Sequence, residues 1–539
     1  MASPQDAQRA VEAIGAKYGY VSEDIMKQIG QWSPSIRQDI EKSMLAKDKL
    51  AAHSIKTLAK NIYGSNARFV FELLQNADDN RFTRAKANGA LPSISFHLHP
   101  HRIVVECNED GFTEKDLRAI CSVGESTKSA SRGYIGAKGI GFKSVFIAAW
   151  KVVIQSGHFS FHFKHEKGDL GLGMVLPVWE NQAAALPGPL TRMTLHLHEQ
   201  GEAQELEHLR QTIFRQLSEL QHTSLLFLRN LRQISVAFYD EDGGLKSSKN
   251  FRVGDERDHT VLLETASTST ANGNNSQTST ENKQYHVTQA EVVLAFPLTS
   301  DLQPLIEQQE IFAFLPIRES NFKFLIHSDF DTSASRQDIV STSLRNRSLI
   351  DGIAAAFIKA VLQFCEHPSL CYTWPRFLPS TTDESSSFWS TLVQRIKDLV
   401  SQTPILKSRH KRGLRMIRNV HIITDIAADH NGASLFDDSV LDPFISTAYK
   451  QASVTALKPY GLRACEFWNI WNLLQADLAS PQSKLKSPST SEDWHSAVAR
   501  LLASFFTEKV TLAISSLRLS VMLPLKGGAV EASVSEATR

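Results

Sequence analysis

The stretch FVFELLQNADDN, Phe69 to Asn80, decides how the first half of the chain is read. On a helix Phe69, Val70, Leu73, Leu74 and Ala77 form an apolar face, while Glu72, Asn76 and Asp79, at i, i+4 and i+7, draw a polar stripe beside it. A helix that only fills a core has no need of carboxylate, amide and carboxylate in one line. Outward from it, SISFHLH (93–99), RIVVEC (102–107), HFSFHF (158–163) and RMTLHL (192–197) alternate with the period of half-buried strands. A helix set against such strands predicts an α+β fold.

With 539 residues the chain exceeds a single core, and at about 150 residues per domain three or four units are expected. A net charge of +1 gives no global attraction to nucleic acid or acidic membrane, so partners must be argued from sites. Five scattered cysteines without CxxC pairing favour neither a disulfide framework nor a zinc site. The N-terminus lacks a signal-peptide core and no run reads as a membrane span, so a cytoplasmic or nuclear location is expected.

Residues 1–54 read as a helical arm, with Ile36, Ile40 and Met44 on one line. Residues 55–200 carry the helix-and-strand pattern, 201–235 a helical connector feeding a strand, and 236–365 a second α+β domain ending in a long helix near 346–365. Within it, 264–284 is so rich in Ser, Thr, Asn and Gln that a disordered excursion is expected. Residues 366–539 mix aromatic helical stretches with Ser/Pro segments, and their role is not readable. His97, His99 and His101 share one strand face and His158, His162 and His165 follow a second alternating strand, the pattern of a solvated sheet face rather than of a metal site.

Two further segments carry chemistry. GYIGAKGIGFKSVF (133–146) places Gly133, Gly136, Gly139 and Gly141 before an apolar helical run, so backbone N–H groups and a helix N-terminus suit a phosphate. Walker A fails because Phe142 separates Gly141 from Lys143, and the Rossmann spacing fails too. NEDGF (108–112) follows the strand RIVVEC and precedes a helix with Thr113 as N-cap and Asp116 completing a capping box. SVGESTKSASRGY (122–134) between them has the small, polar composition of a lid.

In this order ELLQNADDN, NEDGF and GAKGIGF resemble the GHKL ATPase superfamily of the ninety-kilodalton heat-shock chaperones, MutL, gyrase B and histidine kinases. The wording of IYGSNARFVFELLQNADDN, VGESTK, GYIGAKGIGFKSVF and LLFLRNLRQI is similar to its NO VEIN and sacsin-type branch, over residues 55–365. The resemblance implies a Bergerat-fold α/β sandwich, a transducer-like middle domain, and ATP with Mg²⁺ as ligands. It makes Glu72 the general base, Asn76 the Mg²⁺ ligand and Asp79 a nucleotide or metal support, with Gly136, Gly139 and Gly141 at the phosphates and Lys138 and Lys143 as charge partners. Asp110 and Gly111, then Ser126, Thr127 and Lys128, then Phe142 complete the nucleotide set, and Thr191 matches the threonine near adenine. Where the family has an adenine-reading aspartate this sequence has none: an ungapped count from Gly111 lands on Cys107, and a loop one residue shorter on Asn108, the preferred reader. SASRQDI (333–339) resembles the chaperone middle-domain stretch whose arginine reaches the γ-phosphate, which makes Arg336 the candidate arginine finger.

The function so implied is Mg²⁺-dependent ATP binding and slow hydrolysis that drives lid closure and domain docking in a chaperone-like switch; the alternative is a nucleotide-sensing scaffold with little turnover. A protein client and a homodimer through 366–539 are the partners such machines take. The SRHKRGLR cluster at 408–415 reads as a solvated face, with no specific nucleic-acid site expected.

Overall fold

A computed structural model of the chain describes residues 3–46, 69–122, 141–166, 172–181, 186, 190–218, 220, 222–253, 263–268, 290–333, 338–380, 387–411, 413–429, 432–508, 523–524 and 530–531. It forms two compact units: Met1–Thr260 with Phe312–Arg318 and Asp329–Val340, and Val261–Ile311 with Glu319–Ser328 and Ser341–Arg539. The class is α+β, as the alternation of patterns predicts.

In the first unit the N-terminal arm comprises α1 (Pro4–Lys17), α2 (Glu23–Trp32) and α3 (34–46). A capping box between Ser3 and Asp6 starts α1, which buries Ala7, Val11 and Ile14. Then come α4 (Phe69–Asp78), α5 (Thr83–Ala87), β1 (Ser93–His99), β2 (Arg102–Cys107) and α6 (Glu114–Cys121), the last opened by the expected Thr113–Asp116 box. A 3₁₀ segment, Gly141–Ile147, leads into β3 (Ala149–Ser156), β4 (Phe159–Lys164), β5 (Val178–Trp179), β6 (Thr191–Leu197) and α7 (Ala203–Ser218). β7 (Gln233–Tyr239) and β8 (Leu245–Arg252) follow.

These strands make one eight-stranded sheet in the order β5-β4-β3-β6-β2-β1-β7-β8. Neighbours are antiparallel except β1 and β7, which run parallel, so the sheet is mixed. The connector expected over 201–235 therefore ends inside this sheet. A parallel partner for β1 requires a long crossover, and α7 supplies it.

Strand alternation divides the two faces. Phe96, Val105, Ile154, Phe161, Leu195 and Val236 point into one core with Val11, Val70, Leu74, Leu117 and Leu217 from the helices. The opposite face carries His97, His99 and His162, half-buried among polar neighbours: His97 Nδ1 lies 3.1 Å from the Tyr239 hydroxyl, His99 stacks on Tyr239 at 4.4 Å, and His162 meets Glu180 at 3.1 Å, while His101 and His158 are exposed in the turns that follow β1 and β3. Among the described residues no group of His, Cys, Asp and Glu has metal-holding geometry.

In the second unit β9 (Leu263–Thr268) and β13 (Leu325–Ser328) flank β10 (Ala290–Ala295), both antiparallel. Residues 264–268, expected in a disordered excursion, are thus strand; 269–289 lie outside the described residues. α8 (Leu344–Glu366) crosses β9 and β10 and packs on α9 (Ser387–Gln402). Among the described residues α8 alone is long and apolar enough to cross a membrane, but most of that stretch is buried, as in a core helix. Phe296, at the centre of this core, touches Phe324, Phe357, Phe364 and Phe377.

The basic cluster at 408–415 is partly folded inward. Asp442, fully buried, accepts from the Ser408 hydroxyl and from the backbone N–H groups of His410 and Lys411, while Asp438 pairs with His410 at 2.9 Å. The cluster has its own carboxylates.

Candidate functional site

α4 forms on a run that holds Glu, two Leu, Gln and Ala and no glycine or proline. Phe69, Val70, Leu73, Leu74 and Ala77 are buried against the sheet. Glu72, only 8% exposed, stands at the margin of that core, and Asn76 and Asp79 are half-buried. The polar stripe thus lies at the edge of the apolar face, where the spacing put it.

Asp78, next to Asp79, has a different task that the sequence did not disclose. It is 1% exposed, and its carboxylate accepts from three consecutive backbone N–H groups: Arg229 at 2.9 Å, Asn230 at 2.8 Å and Leu231 at 2.8 Å. The Asn230 amide donates back to the Asp78 carbonyl at 2.7 Å. Only the pairing of ADDN with LLFLRNLRQI could have revealed this, and that pairing spans more than half of the first unit. Beside it a cavity of about 290 Å³ is lined by residues 78–83, Lys86, Arg229 and Asn230.

NEDGF is a turn braced on both sides by hydrogen bonds. The Asn108 Oδ1 accepts from the Ser93 N–H at 2.8 Å and its Nδ2 donates to the Leu91 carbonyl at 2.7 Å, so both ends of the amide brace the start of β1. Asp110 accepts from the Thr83 hydroxyl at 2.6 Å and the Arg84 N–H at 2.9 Å, while its own N–H reaches the Arg81 carbonyl. Burial alone would raise the Asp110 carboxyl, but those donors hold it below its ordinary value. Gly111 follows with φ of +92°, a left-handed conformation that explains the glycine.

Beyond the turn, the Phe112 N–H donates to Ser156 Oγ at 2.8 Å, and Ser156 Oγ lies 2.6 Å from Thr191 Oγ1. Registers align Cys107, Thr191 and Ser156 side by side at the ends of β2, β6 and β3, all buried. Burial first and then the Glu109 charge push the Cys107 thiol well above its ordinary range, so this position offers an S–H and no anion. Ser156 is a neighbour of Thr191 that the linear motifs did not point to; the equal phase of β3 and β6 was its only trace.

α4 packs directly on Gly141–Ile147, the exit of the glycine-rich segment. Phe142 is buried there, its ring 6.0 Å from Phe163 and 6.4 Å from Phe146. Lys143 departs from its expected role as a phosphate charge partner. Its ammonium is turned inward, donating to the carbonyls of Ile120 at 2.5 Å and Met174 at 2.6 Å, with the Phe163 ring centroid 4.8 Å away. Burial, opposed only by the neighbouring Cys121, brings Lys143 down to about 7.

Ser126, Thr127, Lys128, Gly136, Lys138, Gly139 and Arg336 lie outside the described residues, and Gly141 is described for its backbone. On either side of Arg336 the chain pairs with itself, Ser333 N–H to the Asp338 carbonyl and Val340 N–H to the Asp331 carbonyl.

No protein-family model matches the chain. Protein NO VEIN of Arabidopsis thaliana is 31% identical over an alignment of 352 residues that covers 61% of this chain. The chain spans 12% of the length of that relative. This homology supports the NO VEIN branch of the resemblance. Among solved structures, the crystal structure of the N-terminal domain of a DNA repair protein covers 58% of this chain and 98% of its own, at 11% identity and a TM-score of 0.36. At that score the likeness carries no weight.

Proposed function

We propose that the first unit is a Bergerat-type nucleotide-binding domain that binds ATP with Mg²⁺ and hydrolyses it slowly to drive a conformational cycle. The observation that carries this reading is the meeting of three separated motifs around α4: the helix itself, NEDGF through Asp110 to residues 81–84, and the exit of the glycine-rich segment at Gly141–Ile147. The same core that packs them also brings their polar groups to one side of α4. Asn76 and Asp79 offer oxygen donors, the set that suits a hard divalent cation such as Mg²⁺. When bound, the cation neutralises phosphate charge.

In this reading Glu72 orients the attacking water and takes its proton, one helical turn from Asn76, whose amide oxygen would hold the metal. The glycines at 136, 139 and 141 let backbone N–H groups approach the phosphates. The Thr191 and Ser156 hydroxyls, at the strand ends beside Gly111, serve the base of the nucleotide. Arg336 stabilises the transferring phosphoryl group. Lys143 has no contact role; it anchors the exit of the glycine-rich segment.

The test is Mg²⁺-dependent ATP hydrolysis by the intact chain beside Glu72→Ala, Asn76→Ala and Arg336→Ala. Loss of turnover in all three is expected, with Glu72→Ala still binding nucleotide. Normal hydrolysis by Glu72→Ala would remove the base assignment.

A second reading, a nucleotide-sensing scaffold with little turnover, draws on Asn108. With both ends of its amide committed to backbone at 91 and 93, adenine loses its expected reader. Retained binding without hydrolysis in the unmodified chain would favour it.

A further inference from the structure

LLFLRNLRQI (225–234) is the motif that the proposed chemistry leaves unused. It contains the three N–H groups that grip Asp78. We propose that Asp78 is a positioning residue: it joins α4 to residues 312–318 through residues 227–231, so that the setting of the helix carrying Glu72 and Asn76 depends on that distant stretch. The role assigned to Glu72 and Asn76 rests on the proposed function, but the joint itself does not.

The first half of the joint is a buried charge. A carboxylate out of water is tolerated only when its oxygens are fully hydrogen-bonded, and three successive N–H groups make an anion-holding nest. With the return bond from Asn230 Nδ2 to the Asp78 carbonyl, four hydrogen bonds tie the C-terminal end of α4 to residues 229–231. α4 cannot shift there without breaking all four together.

The second half leads away from α4. The Arg229 guanidinium lies over the Phe314 ring at 4.5 Å, and the Phe227 and Phe312 rings are 4.7 Å apart. Phe314 has φ of +67°, a left-handed conformation that an aromatic side chain adopts only when its surroundings impose it. Phe312–Arg318 also belongs to the first unit, although the chain reaches it only after passing through part of the second. A strained residue held under Arg229 is the kind of element that has a relaxed alternative. Release of Phe314 would free residues 227–231, and with them the end of α4.

Hydrogen exchange of the full chain tests this without ligand. Arg229→Ala, at an exposed side chain whose backbone N–H is retained, should speed exchange in 310–318 and also in 73–78 by about fivefold or more. Asp78→Asn should speed it reciprocally in 310–318, while β3 at 149–156 is unchanged in the Arg229 variant. If both variants alter only residues 225–232, the joint does not exist. A second arm adds saturating ATP with Mg²⁺, which should slow exchange in 310–318 of the unmodified chain and do so no longer in Arg229→Ala. Slowing that persists in Arg229→Ala overturns the joint. Absence of any nucleotide effect on α4 would count against the proposed function, and the ligand-free arm would still decide the joint.

Discussion

Replacing Lys143 with Met should change how the stability of the first unit depends on pH. The folded lysine is held at about 7 against an ordinary 10.5, first by burial. A neutral amine still has two N–H donors, enough for the carbonyls of Ile120 and Met174. Between pH 7 and 10.5 the unfolded chain therefore carries a proton that the folded chain lacks, so stability rises with pH, by at most about 1.4 kcal/mol per unit. Below pH 7 both states are protonated, and the cost of the buried charge is constant. Met has similar length and no titration. At pH 9 it leaves the buried Met174 carbonyl without its lysine donor, at about 1–3 kcal/mol, and the half-buried Ile120 carbonyl at less, so the variant should be the less stable. Towards pH 6 the gap should narrow as the natural protein takes on the buried charge. Hydrogen exchange of β3 amides at pH 6, 7, 8 and 9 reads the difference, because intrinsic exchange rates cancel between the two proteins at each pH. A gap independent of pH would refute the reasoning and mean that Lys143 stays charged in the fold.

Three substitutions around the NEDGF turn follow the same logic. Ser156→Ala removes the oxygen that receives the Phe112 N–H and joins Thr191, and should cost about 1–3 kcal/mol in urea unfolding. Gly111→Ala forces a side chain into φ of +92°, with its Cβ 3.4 Å from Ser156 Oγ, and should cost about 1–2 kcal/mol by the same assay. Asp110→Ala releases Thr83 and the Arg84 N–H and should cost about 0.5–2 kcal/mol at pH 7. The Asp110 carboxyl lies below its ordinary value in the fold, so its contribution is present above the unfolded carboxylate range and is lost as pH falls through the folded value; a thermal melt in acid should show the two proteins converging.

The local elements were legible because each rests on a short-range rule. β1 and β2 fall at 93–99 and 102–107 as alternation placed them, α4 follows the 3.6-residue spacing of its apolar positions, and Thr113 with Asp116 closes the capping box. What failed to show was pairing at a distance. β7 joins β1 in parallel across 140 residues of chain, so a helix that looked like a connector is a crossover within one sheet. The same gap explains the two aspartates of ADDN. Asp79 could be placed on the polar stripe, but the burial of Asp78 depends on a turn at 229–231 that no local pattern announces. Lys143 looked like a phosphate ligand because it follows the glycines, yet Phe142 and Phe163 surround its ammonium and turn it towards the carbonyls of Ile120 and Met174.

The most direct test of the central claim is equilibrium binding of ATP to the intact chain, by calorimetry with and without Mg²⁺. The account predicts saturable binding that requires Mg²⁺ and is weakened by about tenfold or more in Asn76→Ala. No binding at nucleotide concentrations on the order of 1 mM, or binding indifferent to both Mg²⁺ and Asn76, would contradict it.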